Sequence, residues 1–144
     1  MAVVYYEQQV KANLKNKRKP STFLQSLFRR QLPQIKGLDL VYIFCDDAYL
    51  LAINKEYLQH DTLTDIITFD LSEGLKKMQG EIYISVERVK ENAEKFSTTY
   101  EQELHRVIFH GALHLCGFKD KKTEDQKRMR QEEDLCLNHY FQAW

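Results

Sequence analysis

The stretch 98–120 reads TTYEQELHRVIFHGALHLCGFKD and contains the pattern of a buried helix. Thr98 and Thr99 each begin a capping box, which predicts that a helix starts just after them. Apolar residues recur at helical spacing on two sides of this segment: Tyr100, Leu104, Val107, Ile108, Gly111 and Leu115 on one, and Phe109, Leu113 and Cys116 on the other. Gly117 predicts the end of the helix, because glycine enters the left-handed cap conformation without a steric clash.

Two histidines on this helix suggest a metal site. His110 and His114 are four residues apart, so they lie on one helix face and could turn ring nitrogens toward one ion. The turn at Gly117 gives Asp120 a route back to them as a third ligand. Two imidazoles, a carboxylate and an open fourth position are typical of catalytic zinc. The alternative is a pair of core or surface histidines that binds no ion.

Composition indicates one globular domain spanning residues 1–144. The chain is 43% hydrophobic, which supplies a core at this length. Its formal net charge is zero, so the overall charge gives no argument for nucleic-acid binding. However, a basic cluster follows the histidines and would rim the metal site, which fits a phosphodiester substrate; the alternative is an ordinary solvated charged face. Its members are Lys119, Lys121, Lys122, Lys127, Arg128 and Arg130.

The three cysteines predict reduced thiols rather than disulfides. Cys45, Cys116 and Cys136 match no zinc-finger or redox spacing, which favours a cytosolic protein. Cys116 is interpreted as a core residue and not as a ligand. The N-terminus lacks the pattern of a signal peptide, and no apolar run is long enough to span a membrane.

The order of predicted elements indicates an α+β fold, with a small mixed sheet of about four strands packed with about five helices. Strands are predicted at 3–6, 38–45, 66–69 and 81–85, with a second extended segment within 7–19 and a polar loop at 71–79. Helices are predicted from Pro20 to Pro33, at 47–57 and 86–96, from Thr99 to Gly117, and from Thr123 to about Phe141. The last helix is expected to pack through Met129, Leu135 and Leu137.

The residues 110–118, HGALHLCGF, resemble the hallmark of the YbeY family of metal-dependent endoribonucleases, His-Gly-x-Leu-His-Leu-x-Gly-[Tyr/Phe]. Upstream, 53–57 (INKEY), Asp61 and 64–69 (TDIITF) are similar to a second block of that family. The segment 80–85 (GEIYIS) is similar to a third. The matching blocks run in order from about residue 38 to residue 120, over more than half of the chain.

The resemblance implies a single-strand endoribonuclease that acts in ribosomal RNA maturation and ribosome quality control. Its metal ligands would be His110, His114 and Asp120, holding one zinc ion or another divalent transition metal. Its partners would be single-stranded ribosomal RNA and the small ribosomal subunit, with no membrane and a cytoplasmic location. One alternative is a ribosome assembly or RNA-binding factor with a structural metal. Another is a metallohydrolase of a different phosphoester.

Two positions depart from the family pattern. Asp120 stands where the family usually has a third histidine, which lowers the net charge of the site and makes a bound ion a weaker Lewis acid. Leu58 stands where the family commonly has an arginine thought to handle RNA phosphate. We expect another basic residue to substitute, with Arg106 and Lys119 as candidates, or the activity to be weaker or different.

No general base is identified by the sequence. Glycine at position 111 removes the glutamate of a His-Glu-x-x-His helix, which argues against a zinc peptidase. Asp65 and Glu103 are candidates to line the cleft or to contact one of the metal-ligating side chains. The alternatives are a turn residue for Asp65 and an exposed helix-start acid for Glu103. Glu81 is interpreted as structural, and His60 and His139 as surface residues.

Overall fold

The computed structural model describes residues 2–59, 64–74 and 76–142. Over these ranges, four strands and five helices form an α+β fold, as predicted. The elements are β1 (Ala2–Glu7), α1 (Arg18–Gln31), β2 (Gly37–Cys45), α2 (Asp47–Leu58), β3 (Ile66–Asp70), β4 (Lys77–Ser85), α3 (Val86–Lys95), α4 (Tyr100–Leu115) and α5 (Thr123–Gln142). No described helix combines the length and the apolar character that crossing a membrane requires.

The sheet is mixed, with strand order β1-β2-β4-β3. β1 and β4 both run parallel to β2, whereas β3 runs antiparallel to β4. Tyr42 pairs with Ile82 at the centre of the parallel pair. Side chains alternate across the sheet, so each strand supplies residues to two layers.

The larger core joins one face of the sheet to residues of helices α1, α3, α4 and α5. It contains Leu40, Tyr42 and Ile84 from the strands and Phe109 from α4. A smaller cluster, formed by Cys45, Leu50, Ile53 and Ile67, lies where α2 packs on the other face. One face of β2 and β4 is buried and the other is mostly half-buried, so fully buried residues alternate along both strands.

Helix α4 is fastened to the sheet at its middle. The hydroxyl of Tyr42, buried in β2, donates a hydrogen bond to the carbonyl of Ile108 at 2.8 Å. Gly111 lies close against β4, since a Cβ there would be 2.9 Å from Cγ2 of Ile82. The predicted cap is confirmed, because Thr99 accepts a hydrogen bond from the backbone N–H of Gln102. These contacts fix the height and rotation of His110 relative to the sheet.

Two predictions for loop segments are wrong. The 71–79 loop is shorter than expected, because β4 already begins at Lys77, whose ammonium lies 3.0 Å from the Asp39 carboxylate on β2. Within 7–19, the chain turns instead of forming a second extended segment. The Glu7 carboxylate accepts a hydrogen bond from the Ala12 N–H at 2.6 Å, and α1 begins at Arg18.

The packing face of α5 also differs from the prediction. Met129 is buried and Leu137 packs against the core, but Leu135 is 51% exposed. Cys136 and Tyr140 are buried in its stead. His60 and Asp61, which entered the sequence interpretation, lie outside the described residues.

The cysteines are free thiols, as predicted. Burial raises the pKa of Cys45, Cys116 and Cys136 to about 12, so all three stay protonated at neutral pH. Cys116 packs against the core, which agrees with its interpretation as a packing residue.

Candidate functional site

The centre of the candidate site is the contact between His110 and Asp120. Helix α4 ends where Gly117 adopts a φ of 108°, and the N–H of Phe118 bonds to the carbonyl of Leu113. This cap turns the chain back, as the sequence predicts. Asp120 then reaches the helix, and its Oδ2 lies 3.1 Å from Nε2 of His110. Two of the three predicted ligands are therefore in contact.

The third predicted ligand is not gathered with the other two. His114 lies one turn after His110 and is exposed. In the described ranges, no three His, Cys, Asp or Glu side chains are grouped so that they could hold a metal ion. No hydrogen bond or ion pair to another described residue fixes the His114 ring.

Glu133 is a member of the site that the sequence interpretation missed. Its Oε2 lies 2.6 Å from Nδ1 of His110, and the residue is only 5% exposed. On α5 it shares the buried face with Met129, Cys136 and Tyr140. An acidic residue on an apolar helix face is the signal that could have revealed it, because a buried carboxylate requires partners.

A guanidinium holds Glu133 from its other side. Nη1 of Arg106 lies 2.8 Å from Oε1 of Glu133, and Nη2 lies 2.6 Å from Oδ1 of Asp134. Arg106 is one helical turn before His110 on α4, whereas both carboxylates belong to α5. The result is a continuous chain of charged and polar groups from Asp134 to Asp120.

The two acidic candidates from the sequence both line a cavity of about 210 Å³ beside His110. Glu103 is 6% exposed, so the interpretation as an exposed helix-start acid is wrong. Burial raises the pKa of Asp65, although the charge of His110 opposes this. Burial likewise raises the pKa of Glu103, opposed by Arg106. Arg130 lines the same cavity from α5.

The His110 ring has a raised pKa. Burial by itself lowers it, but the hydrogen bond and charge of Glu133 and the charges of Asp120 and Asp65 together outweigh this effect. The surroundings of His110 therefore favour positive charge at the ring. The same negative charges would favour a metal cation bound at the ring.

The other histidines and Glu81 lie elsewhere. His105 is 2% exposed; its Nδ1 lies 2.6 Å from the Glu101 carbonyl, and its ring packs against Tyr140. His139 is exposed, as expected. Glu81 accepts a hydrogen bond from the Tyr83 hydroxyl, which is consistent with a structural role.

Comparison with known proteins identifies the family. A family model described as "Endoribonuclease YbeY" matches residues 5–141. The chain belongs to the YbeY endoribonuclease family. It is 43% identical over 136 residues to a Cytophaga hutchinsonii protein named "Endoribonuclease YbeY", covering 94% of each chain. It is 57% identical over 96 residues to the Flavobacterium psychrophilum protein of that name, covering 67% of this chain and 68% of the relative.

A solved structure shares the fold of this chain. The fold is similar to the solution structure of a Thermotoga maritima protein, with a TM-score of 0.61 and 22% sequence identity. The match covers 99% of this chain and 91% of the other. At that identity the likeness supports the α+β architecture.

This YbeY chain carries Leu58 where the family resemblance predicts arginine, and Leu58 is 43% exposed at the end of α2. Of the suggested substitutes, Arg106 is already held by two carboxylates and its side chain is only 18% exposed. Lys119 is exposed. Arg130, which is exposed, makes no ion pair with another described residue, and its guanidinium lies 6.0 Å from the ring centre of Phe96.

Proposed function

We propose that this chain, an endoribonuclease by its family, is a metal-dependent enzyme that cleaves single-stranded RNA during ribosomal RNA maturation. The ligands would be His110, His114 and Asp120, and zinc is the ion that two imidazoles and a carboxylate suit best. The observation that carries the proposal is the 3.1 Å approach of Nε2 of His110 to Oδ2 of Asp120. Residues 1–144 would form one domain with this activity, in the cytoplasm.

The hydrogen bonding around His110 supports a cation between these two atoms. Glu133 is paired with Arg106 and can only accept, so Nδ1 of His110 donates to it. In a neutral ring, Nε2 then has a lone pair and faces a carboxylate oxygen. Two acceptors at this distance repel unless a proton or a metal ion lies between them. The donor set therefore fits a divalent ion.

His114 fits the same ion by its place on α4. It lies four residues after His110 and thus on the same helix face. Its ring is exposed and is not fixed by a described bond, so it can change rotamer at little cost. The expectation is that His114 joins His110 and Asp120 when an ion binds.

The chemistry would be divided between the ion and the acidic cavity. A bound divalent ion supplies Lewis acidity toward a phosphoryl oxygen and toward water. Asp65 and Glu103 have raised pKa values and lie in the cavity beside His110. A raised pKa means that these carboxyl groups hold a proton more readily than ordinary ones, which suits groups that accept and return protons. We assign them as candidate proton carriers for the cleavage step.

Basic residues around the site fit an RNA substrate. Arg130 lines both the acidic cavity and the shallow depression that contains His110 and Asp120. Its guanidinium is exposed and could contact a phosphate, as Leu58 cannot. Single-stranded ribosomal RNA and the small ribosomal subunit are the proposed partners.

The test compares substrates and metal states in one assay. Tag-free protein is stripped with a chelator, then assayed with and without zinc on labelled single-stranded RNA, duplex RNA, single-stranded DNA and a small phosphodiester. We expect zinc-dependent cleavage of single-stranded RNA and loss of cleavage in His114→Ala. Cleavage by the stripped protein would refute the metal-dependent proposal. Zinc binding without hydrolysis of any substrate would favour the assembly-factor alternative.

A further inference from the structure

The buried carboxylate of Glu133 connects helix α5 to the proposed ligand His110. Each oxygen has one partner: Oε2 is 2.6 Å from Nδ1 of His110, and Oε1 is 2.8 Å from Nη1 of Arg106. Only 7% of the Glu133 side chain is exposed. Burying a carboxylate this far from water is costly unless both oxygens have partners, as they do here.

From this geometry we infer that Glu133 is a positioning residue for the site. It fixes the rotation of the His110 ring and keeps the hydrogen on Nδ1. Nε2 then faces Asp120 with its lone pair available to a metal ion. The inference rests on the proposed metal function, since it assigns Glu133 a role toward that ion. It connects a residue of α5, 23 positions away in sequence, to proposed metal ligands that come from α4 and the loop after it.

Arg106 holds Glu133 in this position. Its guanidinium bonds to Glu133 and, at 2.6 Å, to Oδ1 of Asp134. The Arg106 side chain is 18% exposed and that of Asp134 is 53% exposed. The inner ion pair is therefore shielded, whereas the outer one is open to water and contributes less.

A purely structural role for Glu133 and a positioning role lead to different expected results. If the residue only joined α4 to α5, its replacement would lower stability without changing the ring of His110 or the affinity for metal. If it positions His110, the replacement weakens metal binding even in a folded protein. Loss of such a carboxylate partner typically weakens metal binding by about 10–100-fold.

The main variant is Glu133→Met, which removes both acceptor oxygens and keeps a side chain of similar length. Glu133→Gln is the graded variant, because one amide oxygen cannot serve both Arg106 and His110. Asp134→Asn is the matched control, since it alters only the exposed end of Arg106. Zinc affinity is measured by competition with a chromophoric chelator. The tautomer of His110 is measured by nitrogen-15 NMR on metal-free protein at alkaline pH.

We expect Glu133→Met to bind zinc about 10–100-fold more weakly, Glu133→Gln to lie in between, and Asp134→Asn to match the wild type. The wild-type His110 ring should carry its hydrogen on Nδ1, and Glu133→Met should shift the ring toward the other tautomer. A folded Glu133→Met with either the wild-type zinc affinity or the wild-type tautomer would overturn the inference. Should Glu133→Met not fold, Glu133→Gln is judged by the same criterion.

The two proposals can fail separately. If the wild-type protein binds no zinc, the proposed metal function fails, and the tautomer in metal-free protein still decides whether Glu133 orients His110. If the wild type binds zinc and folded Glu133 variants bind it equally well, only the positioning role fails.

Discussion

The replacement Gly111→Ala tests whether the close packing of α4 on the sheet requires glycine at position 111 of the motif. Alanine inside a helix is ordinarily more stable than glycine by about 1 kcal/mol. Here, however, the added Cβ would lie 2.9 Å from Cγ2 of Ile82 and 3.0 Å from Cδ1 of Ile66. Overpacking of this kind costs about 1–3 kcal/mol. Ile82 is completely buried in a strand paired on both sides, so it cannot yield easily.

The balance of these two terms is a net destabilisation of about 1 kcal/mol, or a Tm roughly 3 °C lower. Urea denaturation of metal-free protein, followed by far-ultraviolet circular dichroism, measures the change. In an Ile66→Val background, which lacks one of the two close carbons, Gly111→Ala should cost less than it does alone. A Gly111→Ala protein as stable as the wild type, or more stable, would falsify the packing argument.

Three further outcomes are expected. Thr99→Ala removes the side chain that caps α4 and should lower the free energy of unfolding by about 1 kcal/mol in urea denaturation; no change would contradict the cap's role. Burial lowers the pKa of His105 below its usual 6.5, so the unfolded chain takes up the proton first and stability is lost as pH falls below that value. His105→Phe should therefore lose less stability than the wild type on acidification, and equal slopes would refute this. Arg130→Ala should weaken binding of single-stranded RNA and reduce its salt dependence, measured by fluorescence anisotropy at several salt concentrations; unchanged affinity would exclude Arg130 as a phosphate contact.

Local patterns were sufficient to predict most of the elements. Asp46 caps α2 by accepting a hydrogen bond from the Tyr49 N–H, and Thr99 caps α4 in the same way. Gly117 ends α4 with a positive φ. Each of these signals depends on residues within one helical turn, so the sequence alone contains it.

Features that depend on tertiary packing were harder to predict from the sequence. The start of β4 at Lys77 was missed because polar residues there alternate with the buried Met78, and pairing with β2 extends the strand. Position 80 in that strand is glycine because Leu115 packs where a side chain would lie. A Cβ at this position would be only 2.7 Å from Cδ1 of Leu115. Single-sequence patterns do not contain such contacts.

The candidate site also contains one feature that local sequence predicts and others that depend on tertiary packing. Asp120 was predicted to return to His110 through a short loop, and the two are in contact. Glu133 reaches His110 only because α5 packs against α4, so no spacing near the histidines indicates it. Arg106 was considered for a phosphate contact, but its two carboxylate partners on α5 hold it in the interior of the site.

The most direct test of the account is the zinc content of tag-free protein, measured by elemental analysis after saturation with zinc and removal of the unbound metal. We expect about one zinc per wild-type chain, as a single three-ligand site requires. His114→Ala and Asp120→Ala should hold little zinc while keeping the wild-type circular dichroism spectrum. A wild-type chain that retains no zinc, or an His114→Ala chain that retains as much as the wild type, would contradict the assignment of these three side chains.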